Sequence, residues 1–276
     1  MSKKKKISTP PASPESLNLP PGGADSHAHL DDKRFAEDLD AVIARARASG
    51  ISLIGNVFTS LEEWDEAGAR LTVYPELFFI LGIHPISADL WSGATEERLR
   101  QIFKANPRLR AVGEIGLDYY WDNQPRDLQA RVFRAQLKLA CELDLPAVIH
   151  CREATDDTLA ILLDEGFSGR PLLWHCFGQD AGLAETILGQ GWHISIPGPV
   201  TFPANIALQE AVKIIPDNRL HLETDCPYLA PEPWRGRRNE PAFTAFTAQA
   251  VAALRGQNPT ELWLSCGDNT RRFFGL

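Results

Sequence analysis

The sequence predicts an α/β fold, a (β/α)8 TIM barrel with an extra C-terminal helix, on three observations. Eight short apolar runs alternate with amphipathic stretches, the pattern of repeated β-α units. The runs are apolar almost without interruption, as strands covered on both faces are. One barrel of ordinary size also uses nearly all of the 276 residues. Continuity alone fits a barrel or a doubly wound sheet and argues against a sandwich. The expected strands are 23–30, 51–58, 77–84, 109–116, 146–151, 171–176, 191–196 and 219–225.

Helical patterns lie between them. Residues 35–50 read as one helix closed by Gly50, and residues 127–144 as another with Leu128, Val132, Ala135 and Leu139 on one stripe. Gly166 and Gly191 fall where helices should stop. The segment from Pro259 to Leu276 reads as the additional helix lying over the barrel. Residues 1–22 read as a disordered tail, because four consecutive lysines are followed by a Pro/Ser-rich stretch where a signal peptide would carry its apolar core. The lysine run is expected to be a solvated terminus. Residues 23–276 then form one barrel domain.

Composition narrows the function. The net charge of −8 argues against a broad basic surface of the kind that coats duplex nucleic acid, so any such contact must be local. No stretch is apolar for long enough to span a bilayer, so no membrane partner is expected. The five cysteines are odd in number, dispersed and without CxxC spacing, which predicts reduced thiols in a cytoplasmic protein. The sequence leaves the oligomeric state open, a monomer included.

In parallel barrels the working groups sit at the C-terminal ends of strands. The polar residues that interrupt the apolar runs there are His27, His29, His84, Glu114, His150, His175 and Asp225, from six different units. Five of the seven histidines belong to this set, whereas His193 and His221 lie at or near strand starts. Taken singly each is an ordinary core or surface histidine; taken together they predict a metal site. His27-Ala28-His29 is a period-two pair, so both imidazoles face the same side of one strand. Glu114 stands between Gly113 and Gly116, where small neighbours allow close approach, and a carboxylate at that depth needs a partner or a cation.

Around this set several readings stay open. Asp25 and Asp31 are either partners for an imidazole N–H or turn and cap residues. Asp118 is either such a partner or loop surface. Glu223, two residues before Asp225 on the same face, is either a supporting acid or a buried ion-pair partner. Strand alternation predicts that Cys151, Cys176 and Cys226 face the helical layer and are not ligands.

The segments DSHAHLD, LGIHP, VGEIGLDYY, PAVIHCREA, HCF, LETDCPYLAP and RGRRNEP, in that order from residue 25 to 241, with DNTRRFF near the end, resemble the TatD family of metal-dependent deoxyribonucleases in the amidohydrolase superfamily. The resemblance implies two divalent metal ions, Zn, Mn, Co or Mg. His27, His29, Glu114 and Asp225 would surround one ion, and Glu114, His150 and His175 the other, with Glu114 bridging. It also makes His84 a substrate-facing histidine outside the ligand set. Three departures fall beside the site and affect substrate contacts but no ligand: Gly178 and Gln179 in HCFGQD, Ile86 in GIHPIS, and Pro203 in TFPAN.

The expected reaction is hydrolysis of phosphodiester bonds by water activated between two cations, as an exodeoxyribonuclease on single-stranded DNA ends. Asp225 is the expected general base, and protonated His84 or an arginine the expected partner of the anionic substrate. Arg152, Arg235 and Arg237 are candidate phosphate contacts. Tyr119, with Tyr120 and Trp121, is a candidate base-stacking residue or part of the rim packing. One of the three arginines in 235–238 is expected to be a structural partner of Glu232 or Glu240. The alternative is a hydrolase of a small phosphoester, amide or lactone on the same barrel.

Overall fold

The computed structural model describes residues 12–121 and 123–276. Eight parallel strands follow one another in sheet order: β1 (Gly23–Ala28), β2 (Ile51–Phe58), β3 (Leu77–Leu81), β4 (Leu109–Asp118), β5 (Ala147–Arg152), β6 (Leu172–Trp174), β7 (His193–Ile196) and β8 (Leu220–Leu222). A bridge between Ala28 and Cys226 brings β8 back to β1 and closes the barrel. The His29 N–H donates to the Cys226 carbonyl at 2.8 Å and the Asp225 N–H to that of His27 at 2.9 Å. Nine helices complete the described chain: α1 (Leu39–Ala48), α2 (Leu61–Leu71), α3 (Gly93–Ala105), α4 (Arg126–Leu143), α5 (Thr155–Asp164), α6 (Ala181–Gly189), α7 (Ile206–Ile214), α8 (Thr244–Arg255) and α9 (Pro259–Phe273). Ser60, Ser92, Asp180 and Asn258 accept backbone N–H groups at helix starts, supplying partners to donors that a helix leaves unpaired. Among the described residues no helix is long and apolar enough to cross a membrane.

The outer core lies between strands and helices. A smaller core of Val57, Phe78, Ile80, Ala111, Val148 and Leu173 fills the barrel from within, and Phe274, just after α9, packs into it with its ring 4.6 Å from that of Phe78. The extra C-terminal helix therefore delivers a plug. His193 and His221, at the starts of β7 and β8, are hydrogen-bonded at 2.8 Å and packed on Phe273, far along their strands from the C-terminal ends.

Three local expectations change. β1, β3, β6 and β8 stop short of the apolar runs, so His29, His84, His175 and Asp225 lie past the last residue of their strands. The buried face of α4 is Gln129, Val132, Phe133, Gln136, Leu137, Leu139 and Ala140, with Leu128 and Ala135 only half-buried. Residues 12–22, assigned to a disordered tail by composition, pack on the barrel. A 3-10 turn spans Pro14–Leu17, Trp263 Nε1 donates to the Pro20 carbonyl, and Trp234 Nε1 donates to that of Ala12. Two tryptophan N–H groups and the burial of Pro14 offset the ordering cost that this composition would not meet alone. The lysine run lies outside the described residues.

Truncating the plug leaves a cavity lined by Phe78 and Ile80. Phe274→Ala should lower unfolding stability by about 3 kcal/mol in a urea titration; an unchanged midpoint would show that the barrel floor does not rely on it.

Candidate metal centre

Glu114 is the middle of the cluster, and β4 is irregular where it carries it. The β4–β5 register shifts between Val112 and Ile115, and the β1–β2 register shifts between Asp25 and Ala28, across His27. Such irregularities re-aim side chains at strand ends. At Gly116 the backbone has φ 145°, and a Cβ would collide with the His150 carbonyl oxygen, so only glycine lets β4 and β5 approach there.

The carboxylate of Glu114, 4% exposed, faces a different set of imidazoles with each oxygen. Oε2 lies 3.3 Å from His27 Nε2 and 4.0 Å from His29 Nε2. Oε1 lies 2.5 Å from His150 Nδ1, 2.7 Å from His175 Nε2 and 3.6 Å from His84 Nε2. Asp225 closes the first set, its Oδ1 3.4 Å from His29 Nε2 and 3.8 Å from His27 Nε2. Asp225, three residues past the end of β8, has φ 55°, a conformation unfavourable for a residue with a side chain, and its carboxylate is turned to the cluster. All seven polar residues read from strand-end positions come together, the six that the resemblance implies as ligands among them.

Two observations test whether these residues fit divalent cations. Nε2 of His27, the atom that faces Glu114 and Asp225, is buried without a hydrogen-bond partner, which costs about 1–3 kcal/mol unless something else engages it. Tetrahedral N and O donors at about 2.0–2.1 Å from one ion sit about 3.4 Å apart. The His27–Glu114 and His29–Asp225 separations match that spacing. The Glu114–His150–His175 set is drawn tighter, to hydrogen-bond lengths, and would open slightly around an ion. Imidazole-rich donors suit Zn²⁺, Mn²⁺ or Co²⁺.

The charges follow from burial. Burial raises the Glu114 carboxyl, but the imidazoles of His175 and His150 outweigh it and hold it well below its ordinary range. Asp225 is likewise pushed up by burial and pulled lower by His29. Burial lowers His29, yet its Asp225 partner raises it to about 9. His27 is lowered by burial and by the charge of His175. The two carboxylates thus demand positive charge inside the cluster, supplied by imidazolium or by metal ions.

Asp118 is a buried partner and not loop surface. Its Oδ2 accepts from His150 Nε2 at 2.9 Å, leaving Nδ1 for Glu114, while Oδ1 accepts from the N–H groups of Tyr120 and Trp121 at 3.0 and 3.1 Å. Glu223 sits behind His175, 3.6 Å from Nδ1, and accepts from the Cys176 N–H at 2.6 Å and from the Ser195 hydroxyl. Asp25 bonds Thr224 and the His27 N–H, not an imidazole, and burial raises its carboxyl to about 8. Asp31 accepts from Asn56 Nδ2 at 3.2 Å.

His84 is corrected in its charge. Its Nδ1 accepts from the Ile86 N–H at 3.2 Å, which leaves Nε2 as the donor facing the cluster. Burial, then the charge of His150, lowers it to about 3, so it is neutral. Arg152 lies over Tyr120, Arg235 over Phe202, and Arg237 makes no ion pair among the described residues. Arg238 is the structural one, paired with Asp38 through both nitrogens of its fork and 4.0 Å from Glu240. Tyr119 is committed to packing: its hydroxyl donates to Asp157 at 2.7 Å and Arg126 covers its ring.

Cys151 reaches Thr155 of α5, as alternation predicts, and Cys226 is in the outer core. Alternation does not reach Cys176, which follows the end of β6 with φ 49°. Burial and the carboxylates of Asp225, Glu223 and Glu114 raise its thiol well above the ordinary range, leaving it a neutral neighbour of the cluster.

Sequence reading missed two glutamines. Gln136 of α4 bonds the backbone of Ile83 in both directions at 2.7 and 2.9 Å, and Gln129 does the same for Asp118 at 2.9 and 3.0 Å. They clamp the backbone beside His84 and at the end of β4. Their signal was available: two amides seven residues apart on an otherwise apolar helix face.

Residues 24–275 match the family model described as TatD related DNase. The chain is 38% identical over 255 residues to a Bacillus subtilis protein named uncharacterized metal-dependent hydrolase YabD, covering 91% of this chain and 98% of that one. It is 36% identical over 258 residues to an Erwinia billingiae protein named 3'-5' ssDNA/RNA exonuclease TatD, with the same coverage. Of solved structures, the Escherichia coli TatD homologue YjjV superposes with a TM-score of 0.85 at 28% identity, covering 92% of this chain and 98% of that one.

Asp118→Asn keeps the shape of the His150 partner but removes its charge. Divalent-ion affinity should fall about 10- to 100-fold by calorimetric titration; unchanged affinity would mean that Asp118 does not support His150 as a ligand.

Proposed function

The chain belongs to the TatD family of metal-dependent hydrolases, acting on ester bonds, and on that premise we propose that it cleaves phosphodiester bonds at the ends of single-stranded DNA through a two-metal site. The observation that carries this reading is the division of Glu114, with one oxygen on His27 and His29 and the other on His150 and His175. His27, His29, Glu114 and Asp225 would hold one ion and Glu114, His150 and His175 the other. When bound, the two ions would supply Lewis acidity toward the phosphoryl oxygens and the attacking water.

This chain's own groups do the rest. Asp225 accepts the proton of the attacking water at Oδ2, since Oδ1 is engaged with His29 and His27. Its side chain is 17% exposed against 5% for Glu114, so of the two carboxylates it is the one open to substrate. Neutral His84 donates its Nε2 proton to a phosphoryl oxygen, stabilising the charge that develops there. Arg152, on the strand end next to His150, meets the anionic backbone, with Arg235 and Arg237 on the opposite loop. Glu223 and Asp118 hold His175 and His150 in orientation. Single strands fit because an extended chain enters a recessed barrel mouth more easily than a rigid duplex. The name carried by the Erwinia relative supports the same substrate class.

Two measurements test the proposal. Asp225→Asn should reduce kcat by about 10²- to 10⁴-fold while the circular dichroism spectrum is retained; near-normal turnover removes Asp225 as the base. Metal-loaded protein should degrade end-labelled single-stranded DNA and lose that activity in EDTA. EDTA-sensitive turnover confined to small phosphoesters, amides or lactones would transfer the site to the alternative substrate class.

A further inference from the structure

The exposed aromatic residues are not scattered. Among the described residues the aromatic side chains with large exposure are Tyr120 at 49%, Trp121 at 50% and Tyr228 at 51%. All three lie on loops that leave the C-terminal ends of strands, Tyr120 and Trp121 after β4 and Tyr228 after β8. A ring left in water forfeits the apolar burial that usually retains it, so three such rings confined to one end of the barrel call for an occupant.

Each platform carries a cation. The Arg152 guanidinium lies 3.8 Å from the centroid of the Tyr120 ring and 5.8 Å from that of Trp121, and the Arg34 guanidinium 4.3 Å from that of Tyr228. A guanidinium over one face leaves the other free, and both rings remain about half exposed. Aromatic rings interleaved with arginines are the chemistry that binds single-stranded nucleic acid without reading its sequence: rings stack on bases and guanidinium groups meet phosphates.

Each platform is also tied to a proposed metal ligand. The Asp118 carboxylate that holds His150 through Oδ2 accepts the Tyr120 and Trp121 N–H groups through Oδ1. The Tyr228 N–H donates to the carbonyl of Asp225 at 3.0 Å, and the Tyr228 carbonyl accepts from Asn239 Nδ2 at 2.6 Å. Neither platform can shift without its ligand. The two strands that carry them are also far apart in the barrel, since β4 and β8 are four places apart in a closed ring of eight. The cluster lies between.

From this arrangement we propose that the mouth holds a single strand by two base-stacking subsites on opposite sides of the cleaved phosphate, Tyr120 and Trp121 with Arg152 on one side and Tyr228 with Arg34 on the other. The terminal nucleotide occupies one subsite and the nucleotide before it the other, so that the last phosphodiester lies over the cluster, and selection is for unpaired bases and not for their identity. This inference rests on the phosphodiesterase reading above and specifies how that site takes its substrate.

The test is a set of short single-stranded oligonucleotides, each with one abasic residue at a different position, assayed with wild type, Tyr120→Ala/Trp121→Ala and Tyr228→Ala. In wild type an abasic residue on either side of the cleaved bond should raise KM about tenfold. The penalty on one side should vanish in the double variant and that on the other side in Tyr228→Ala. Tyr120→Phe/Trp121→Phe and Tyr228→Phe, which keep the rings, should keep both penalties and so separate stacking from a fold defect. Penalties that persist unchanged in the alanine variants, or that vanish at the same position in both, overturn the two-sided arrangement. If wild type cleaves none of the intact strands while hydrolysing bis(p-nitrophenyl) phosphate, the failure belongs to the single-strand reading and not to the subsites alone.

Discussion

The structure depends on one buried carboxylate. Glu114 sits at the end of a barrel strand with almost no solvent, and a charge in that position is tolerated only if opposite charge is held within a few ångströms. Four imidazoles from β1, β5 and the end of β6 converge on its two oxygens, and a fifth, His84, stands just beyond. Because Glu114 and Asp225 outnumber the charge that neutral imidazoles can offer, the cluster must take up protons or divalent ions.

Much of the surrounding architecture serves this geometry. Strand irregularities aim His27 and Glu114, Gly116 lets β4 approach β5, and Asp118 and Glu223 turn the imidazoles of His150 and His175. The glutamines of α4 fix the backbone from behind, reaching past the apolar layer to groups that the strand ladder leaves unpaired. At the other end, Phe274 fills the barrel and sets the site on a packed floor. The rim is attached to the same framework, since Asp118 supports both a proposed ligand and the Tyr120–Trp121 loop. The cluster and the exposed rim therefore share hydrogen bonds.

The barrel and the cluster of seven polar strand-end residues were legible because both are written as periodicity, whereas the choice of six ligands among them came from the family resemblance. Apolar runs mark strands, and a polar residue interrupting the end of such a run marks the mouth; β2 was expected over 51–58 and spans Ile51–Phe58. Alternation failed where strands end, as at Cys176, whose left-handed backbone breaks the two-residue period. The charge of His84 was not legible, because it depends on a backbone N–H from Ile86 and on burial among other imidazoles. Nor was the commitment of Tyr119 to Asp157 and Arg126, contacts made to the first turns of α5 and α4 that strand and helix periodicity does not encode. The segment from residue 12 to 22 misled by composition, since its order comes from two tryptophans more than 200 residues away.

Glu114 is proposed to join two cations, and Mn²⁺ titration of the chelator-treated chain followed by electron paramagnetic resonance reads this out. Two Mn²⁺ per chain with a spin-coupled spectrum are expected, with loss of that coupling in Glu114→Gln. Saturation at a single ion in wild type, or two ions with no coupling between them, would contradict it.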